Sequence, residues 1–355
     1  MRAASDPLPT RFRRWAARQR ALADIGVAVL VAWTAAVLGL VLDNVLPGSA
    51  APAPFSPIRL IIMIGSVALL IGSVALRRWI YRGTGTLYSL CLLDETMRDY
   101  HEDTQRDAAE RHMAVQIIGR RVDLLGREHD GVVDVVQPRQ ELSRALESAL
   151  NQDRQDTGYA VAPILLWPAA LAVGASLFRT DRMRFLEYAK NTTQEFRFQD
   201  KASEQVAEWK EQDHIVVPEP TGDRHGVLLS FTRPLTEFDV DRRCKEFGVA
   251  KLVVVRPQPH VQGHRLSGPE LNRLAEDLAG CLAELKRAAR PRELVVVAFV
   301  PKTVALLTGW YLSRTQERFF DGTHLMHHVR DEDRFVAMRV HPSQPTAFPV
   351  PQSGA

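Results

Sequence analysis

Leu294 to Gly309 reads LVVVAFVPKTVALLTG, an apolar β-branched run, a Pro, and then apolar residues at helical spacing. Val and Ile suit a strand buried on both faces, and Pro is tolerated in the first turn of a helix, so the stretch predicts a buried strand feeding directly into a helix. Tyr159 to Gly174, YAVAPILLWPAALAVG, has the same order of parts, with Pro168 and Ala172 standing where Pro301 and Ala305 stand. Working outward, VVDVVQP ending at Pro138 parallels KLVVVRP ending at Pro257, and AVQIIGRR from Ala114 parallels GVLLSFTR from Gly226. A unit of roughly 110 to 130 residues therefore occurs twice, in the order strand, strand, helix, strand, Pro-started helix, strands.

At 355 residues the chain has room for two or three domains, and 46% hydrophobic content is ample for a core. The net charge of +3 says little, but its distribution says more. Arg2, Arg11, Arg13, Arg14, Arg18 and Arg20 crowd the N-terminus against Asp6. The charge-free run Ile25 to Leu42 would cross roughly 27 Å as a helix, and Leu60 to Leu76 is also just sufficient. Between them lie Asp43, Pro47, Pro52, Pro54 and Pro57, and Arg77, Arg78 and Arg82 follow the second run. Flanking cations bias a segment to the cytoplasm, so the expectation is a two-pass membrane hairpin with both termini inside and the Pro-rich turn outside. A secretory signal would have a shorter apolar core and a small-residue cleavage site, and no second span would follow at once. Cys91, Cys244 and Cys281 are scattered, which fits a reducing compartment and excludes a disulfide framework or a cysteine zinc cluster. Gly65, Ala68, Gly72 and Ala75 share one face of the second span, as Ala28, Ala32, Ala35 and Gly39 do in the first. Such stripes are either a close-packing face or the ordinary Ala and Gly content of membrane helices.

The expected organisation is a basic cytoplasmic tail (1–20), a transmembrane hairpin (21–80), a linker helix (81–112), a first α/β half (113–200), a connector (201–225), a second α/β half (226–340) and a disordered Pro-rich tail (341–355). Leu87 to Arg111 reads as one polar helix. In the first half, strands are expected over Met113–Ile118, Val132–Val136 and Val161–Leu166, helices over Arg139–Asn151 and Ala169–Phe178, and short strands near Arg184 and Glu195. In the second, strands are expected at Val227–Phe231, Lys251–Arg256, Glu293–Phe299, near Leu325 and at Phe335–Val340, with a covering helix over Pro269–Ala289. Alternation of this kind implies mostly parallel sheets covered on both faces, with ligands at the carboxyl ends of the strands.

No phosphate-cradling GxxxxGK[ST], strand-to-helix GxGxxG, GxSxG elbow or HExxH occurs. His324, His327 and His328 lack a carboxylate at a recognisable spacing and read as a solvated or hydrogen-bonded cluster, so no metal is expected. The strand ends are richer. Gly119, Arg120 and Arg121 follow one strand, Thr232, Arg233 and Pro234 another; Trp167 and Pro168 close a third, and Lys302 and Thr303 open the helix after Pro301. Together they offer cations and helix N-terminal amides for phosphates and an indole for stacking a base, as an anionic nucleotide requires. Taken singly, the arginines read equally well as surface charges and Trp167 as core. Nothing supplies an obvious nucleophile or general base, so neither an enzyme nor a resident cofactor is expected.

The tandem pattern, with LLSFTRP, a Leu-rich helix and a strand running into VPKTVALLTGWYL, resembles the SAVED domain, a fused pair of CARF-like, Rossmann-type α/β folds. Behind two membrane helices it is similar to the two-transmembrane SAVED effectors of CBASS antiphage systems. The resemblance implies a cyclic oligonucleotide ligand, usually a cyclic trinucleotide, made by a CD-NTase partner. It further implies association of copies on binding, and membrane disruption leading to abortive infection. The expected partners are thus the ligand, lipid and further copies of the chain, and not a DNA or RNA polymer. Two alternatives stay open: a membrane-tethered enzyme degrading such a ligand with His324 or His328, and a passive anchor for a sensory domain.

Overall fold

In the computed structural model of the chain, the described residues are 31, 33, 64–66, 68–73 and 75 of an N-terminal unit, Met1–Thr84, and 85–94, 97, 100–111, 113–153, 158–177, 183–189, 192–197, 208–217, 220, 222–231, 239–258, 268–315, 317–329 and 332–349 of a C-terminal unit, Gly85–Ala355. The apolar runs Ile25–Leu42 and Leu60–Leu76 lie only partly within them. Among the described residues no helix is long and apolar enough to cross a membrane. Gly65, Ala68, Gly72 and Ala75 are helical and exposed, and nothing stands within 4 Å of where a Cβ would sit on either glycine.

The first part of the C-terminal unit runs β1 (Thr86–Asp94), α1 (His101–Glu110), β2 (Ala114–Val122), β3 (Glu128–His129), β4 (Val132–Asp134), α2 (Val136–Gln152), β5 (Tyr159–Leu165), α3 (Trp167–Ala175), β6 (Met183–Ala189) and β7 (Thr192–Arg197). The second runs β8 (Glu208–Val216), β9 (Arg224–Ser230), α4 (Val240–Phe247), β10 (Val249–Gln258), α5 (Gly268–Ala289), β11 (Leu294–Phe299), α6 (Lys302–Leu312), β12 (Thr323–Val329) and β13 (Arg334–Arg339). They build two sheets, ordered β2-β1-β5-β6-β7 and β3-β4-β13-β12-β11-β9-β10-β8. Every residue of β5 is buried, as a strand covered on both faces requires.

The same five-strand ladder occurs in both sheets. In each, a central strand pairs in parallel with two neighbours, a further parallel strand follows, and an antiparallel strand closes the series. β1 therefore corresponds to β9, β2 to β10, β5 to β11, β6 to β12 and β7 to β13. This corrects the sequence correspondence, which set AVQIIGRR of β2 against GVLLSFTR of β9. The shift arises because Leu87–Arg111 is not one helix. Its first part is β1, whose Leu87, Leu90 and Leu92 are at most 1% exposed, and only His101–Glu110 is helical.

Three further expectations are corrected. The polar connector contains β8, antiparallel to β10 at the edge of its sheet, where the charges of EWKEQDHIV are tolerated. VVDVVQP and KLVVVRP are not equivalent. Pro138 lies in the first turn of α2, whereas Pro257 is within β10, and β4 crosses to pair with β13 of the other sheet. Finally, residues 341–349 of the tail are packed on the body. Phe348 is buried against Phe247 and His324, with the Arg224 guanidinium 4.5 Å from its ring, and its N–H donates to the Asp130 carbonyl at 3.0 Å.

One continuous apolar core joins the halves, with Leu90, Val161 and Leu186 in the same cluster as Val296, Leu306 and Leu325. Behind it the buried Gln344 amide accepts from the N–H groups of Val340 and His341 and donates to the carbonyls of Thr323 and Met338. Truncation there orphans buried backbone groups, so Gln344→Ala is expected to cost about 2 kcal/mol, read as a lowered thermal midpoint of the full-length chain; an unchanged midpoint would contradict it.

Candidate functional site

Each Pro-started helix sits where the sequence predicts it. α3 follows β5 with Pro168 in its first turn, and α6 follows β11 with Pro301 as its N-cap. The two helices cross at their glycines. A Cβ on Gly174 would stand 1.8 Å from the Leu306 carbonyl oxygen, and one on Gly309 would stand 1.8 Å from that of Leu171. Only glycine permits backbones to meet this closely. One step along the chain carries Leu171 to Leu306 and Gly174 to Gly309, so the crossing has local two-fold character. The sheet registers agree, since Tyr159 pairs with Met183 as Leu294 pairs with Thr323. That step carries Trp167 onto Lys302 and Pro168 onto Thr303. The correspondence of Pro168 with Pro301 and of Ala172 with Ala305 is thus two residues out of register.

At this seam each helix N-terminus reaches a strand of the other half. Trp167 Nε1–H donates to the Met326 carbonyl on β12 at 3.2 Å. The Thr303 N–H donates to Glu187 Oε2 on β6 at 2.8 Å, and the Thr303 hydroxyl donates to the same oxygen. Burial pushes the pKa of Glu187 above the usual carboxylate range, against the opposing pull of the Thr303 hydrogen bonds and the Lys302 charge. Beside it the Lys302 ammonium lies 5.3 Å from the ring centroid of Tyr100. Tyr100 in turn stacks on Tyr188 with centroids 5.9 Å apart and planes 14° from parallel. Burial drives the Tyr188 phenol up to about 12, so it stays neutral.

The structure thus brings Trp167, Pro168, Lys302 and Thr303 to one seam, near the carboxyl ends of β5, β6, β11 and β12. Trp167 and Lys302 are partly exposed there, whereas Pro168 and Thr303 are buried. Arg120 and Arg121 are not part of it: they lie on the edge strand β2, two strands from β5, and Arg120 pairs with Glu141 of α2 at 3.0 Å. Thr232 and Arg233 lie outside the described residues. Sequence reasoning missed Glu187, Tyr100 and Tyr188. A lone carboxylate inside the apolar strand MRFLEYA was the one available signal for Glu187.

The histidines have separate environments. His324 is buried at the amino end of β12 with Nε2 3.1 Å from Glu293 Oε2, and burial lowers its pKa despite that carboxylate. His328 meets Asp333 at 3.1 Å near the other end of the strand. Among the described residues no group of three or more His, Cys, Asp or Glu is placed to hold a metal ion.

Comparison with solved structures finds a Cap4 SAVED/CARF-domain containing receptor of Acinetobacter baumannii with the cyclic trinucleotide 2'3'3'-cAAA, at 13% identity and a TM-score of 0.44, covering 77% of this chain and 55% of that one. The same receptor with 3'3'3'-cAAA is found at 12% identity with the same coverage and TM-score. A Moraxella osloensis Cap4 SAVED/CARF-domain containing receptor follows at 8% identity and a TM-score of 0.38, covering 70% of this chain and 49% of that one. The chain spans about half the length of these receptors. No curated protein matches it in sequence. The family model for SAVED, the SMODS-associated and fused to various effectors sensor domain, matches residues 140–317. That match covers half of the sequence and takes in both Pro-started helices with Trp167, Glu187, Lys302 and Thr303, and the chain belongs to the SAVED family.

Proposed function

We propose that the chain is a membrane-anchored antiphage effector of a CBASS system. Its SAVED body, in this reading a tandem pair of CARF-like halves, binds a cyclic oligonucleotide of the cyclic trinucleotide class at the seam. Binding drives copies together, and the N-terminal hairpin then disrupts the inner membrane. The observation that carries this reading is the crossing of α3 and α6, which sets an indole and an ammonium, Trp167 and Lys302, at equivalent positions of the two halves, the ammonium against the Tyr100 ring. Such a seam presents stacking faces for bases and a cation for phosphates, and a ligand spanning both halves stabilises whichever arrangement it binds better. The two apolar runs flanked by arginines supply the anchor, and confinement to one membrane raises the effective concentration of copies.

The test is calorimetry and dye release with the full-length chain in liposomes, using 2'3'3'-cAAA and 3'3'3'-cAAA as probes and recovering the ligand afterwards. Expected are binding, release of dye and an intact ligand. Trp167→Ala should weaken binding about 5- to 160-fold, the range for losing one stacked base, and Lys302→Glu at least about tenfold. Binding indifferent to both substitutions would remove the seam as the site. Hydrolysed ligand without dye release would favour an enzyme, and binding without release a passive anchor.

A further inference from the structure

The seam lies toward the carboxyl ends of the strands, but a cavity of about 550 Å³ opens at the opposite, amino-terminal ends of β11 and β12. Its wall carries Lys286 from the last turn of α5, Arg290 and Arg292 from the turn into β11, and Arg318 from the turn before β12, against the carboxylates Glu293 and Asp321. Glu293 is already engaged, accepting from Arg224 Nε at 2.9 Å and lying 3.1 Å from His324 Nε2. Arg292 approaches its nearest carboxylate, Asp223, only to 3.9 Å, and Arg318 makes no ion pair among the described residues. Lys286 is 4% exposed, and its ammonium donates to the backbone carbonyl of Asp321 rather than to a carboxylate. Arg290 is paired with Glu317 at 2.8 Å, and burial, and next the Arg290 charge, bring the Lys286 pKa down to about 8. Complementing the dipole of α5 accounts for Lys286 but not for Arg292 and Arg318, which lie beyond that helix.

We propose that this cavity is a second anion site, distinct from the seam, which takes a small phosphate-bearing group of at least two negative charges on Lys286, Arg292 and Arg318, with Arg290 held beside them by Glu317. Its size suits a pyrophosphate or a phosphorylated small molecule, and its guanidinium groups suit bidentate contact with phosphate oxygens. The same chemistry is available from free phosphates and from a lipid headgroup that ends in a phosphomonoester, for which sn-glycerol 3-phosphate is the soluble counterpart.

The experiment is calorimetric titration of the full-length chain in zwitterionic nanodiscs at low salt. Pyrophosphate is the probe in one arm and sn-glycerol 3-phosphate in the other. Expected is salt-sensitive binding that Arg318→Gln weakens and Arg292→Gln/Arg318→Gln weakens at least about tenfold, with Lys302→Glu and with Arg273→Gln, toward the other end of α5 and outside the cavity wall, unchanged. The tighter probe names the source. Because Arg318 is exposed and makes no ion pair, its single substitution tests the site even if the double variant folds poorly. Failure of both probes to bind, equal binding by the Arg318→Gln variant, or loss of binding with Lys302→Glu would overturn the proposal. The last result would move the phosphate to the seam.

Discussion

Gly309→Ala is expected to lower the stability of the full-length chain by about 3 kcal/mol, a fall of about 6–12 °C in thermal midpoint for a unit of this size. The added methyl would stand 1.8 Å from the Leu171 carbonyl oxygen and 3.1 Å from the Ala175 nitrogen. These are backbone atoms of a buried helix, so no side chain can swing aside; α3 and α6 must part. Parting them thins the contacts of Leu171, Leu306 and Leu307, which are among the most buried residues of the core. Gly174→Ala meets the Leu306 carbonyl in the same way and should cost a similar amount. Both substitutions strain one crossing, so the double variant should lose clearly less than the sum of the singles. Thermal unfolding of the two singles and the double checks this. A shift below 1 °C for either single, or full additivity, would show that the helices do not meet at these glycines.

That crossing was legible in the sequence as two Pro-started apolar helices after buried strands, and each stretch ends on its glycine, at Gly174 and Gly309. The register between the copies was not. Prolines are conspicuous markers, and aligning Pro168 with Pro301 hides a two-residue offset that only the contact of Gly174 with Leu306 and Gly309 with Leu171 reveals. β1 was lost for a related reason. TLYSLCLLD is apolar on both faces and so carries no strand alternation, and the charged segment of α1 follows it closely. Without β1 the first half began one strand late, so β2 was matched to β9. β8 failed in the opposite direction, because an edge strand keeps charges that a central strand could not. The tail misled through its prolines, since the Phe348 ring, packed on Arg224 and Phe247, and the buried Gln344 amide hold it to the body. At the seam, helix starts gave away Trp167 and Lys302. Glu187 and Tyr100 come from strands and turns distant in sequence, and no local pattern announces that they converge on α6.

Glu187→Ala is the second large effect expected, roughly 3 kcal/mol, because it deletes the acceptor of two hydrogen bonds at a buried helix start and leaves the Thr303 N–H without its partner. Glu187→Gln separates the hydrogen bonds from the charge. The amide oxygen can still accept from both Thr303 donors, and no ion has to be desolvated. Burial raises the Glu187 pKa, so between its ordinary value and the raised one the folded chain holds this proton more often than the unfolded chain does. Stability from this group is therefore full below the ordinary value and declines as pH rises through the window. The Gln variant lacks that decline. Relative to Glu187→Gln, the native chain should match in acid and fall progressively behind as pH rises, while Glu187→Ala stays below both throughout. Thermal midpoints of the three full-length chains between pH 5 and pH 8 would show it. If the native chain instead gained on the Gln variant with rising pH, the Lys302 charge and not burial would govern this carboxylate. If Gln fell with Ala, the seam would depend on the negative charge itself, and the Thr303 hydrogen bonds would not be what joins the halves.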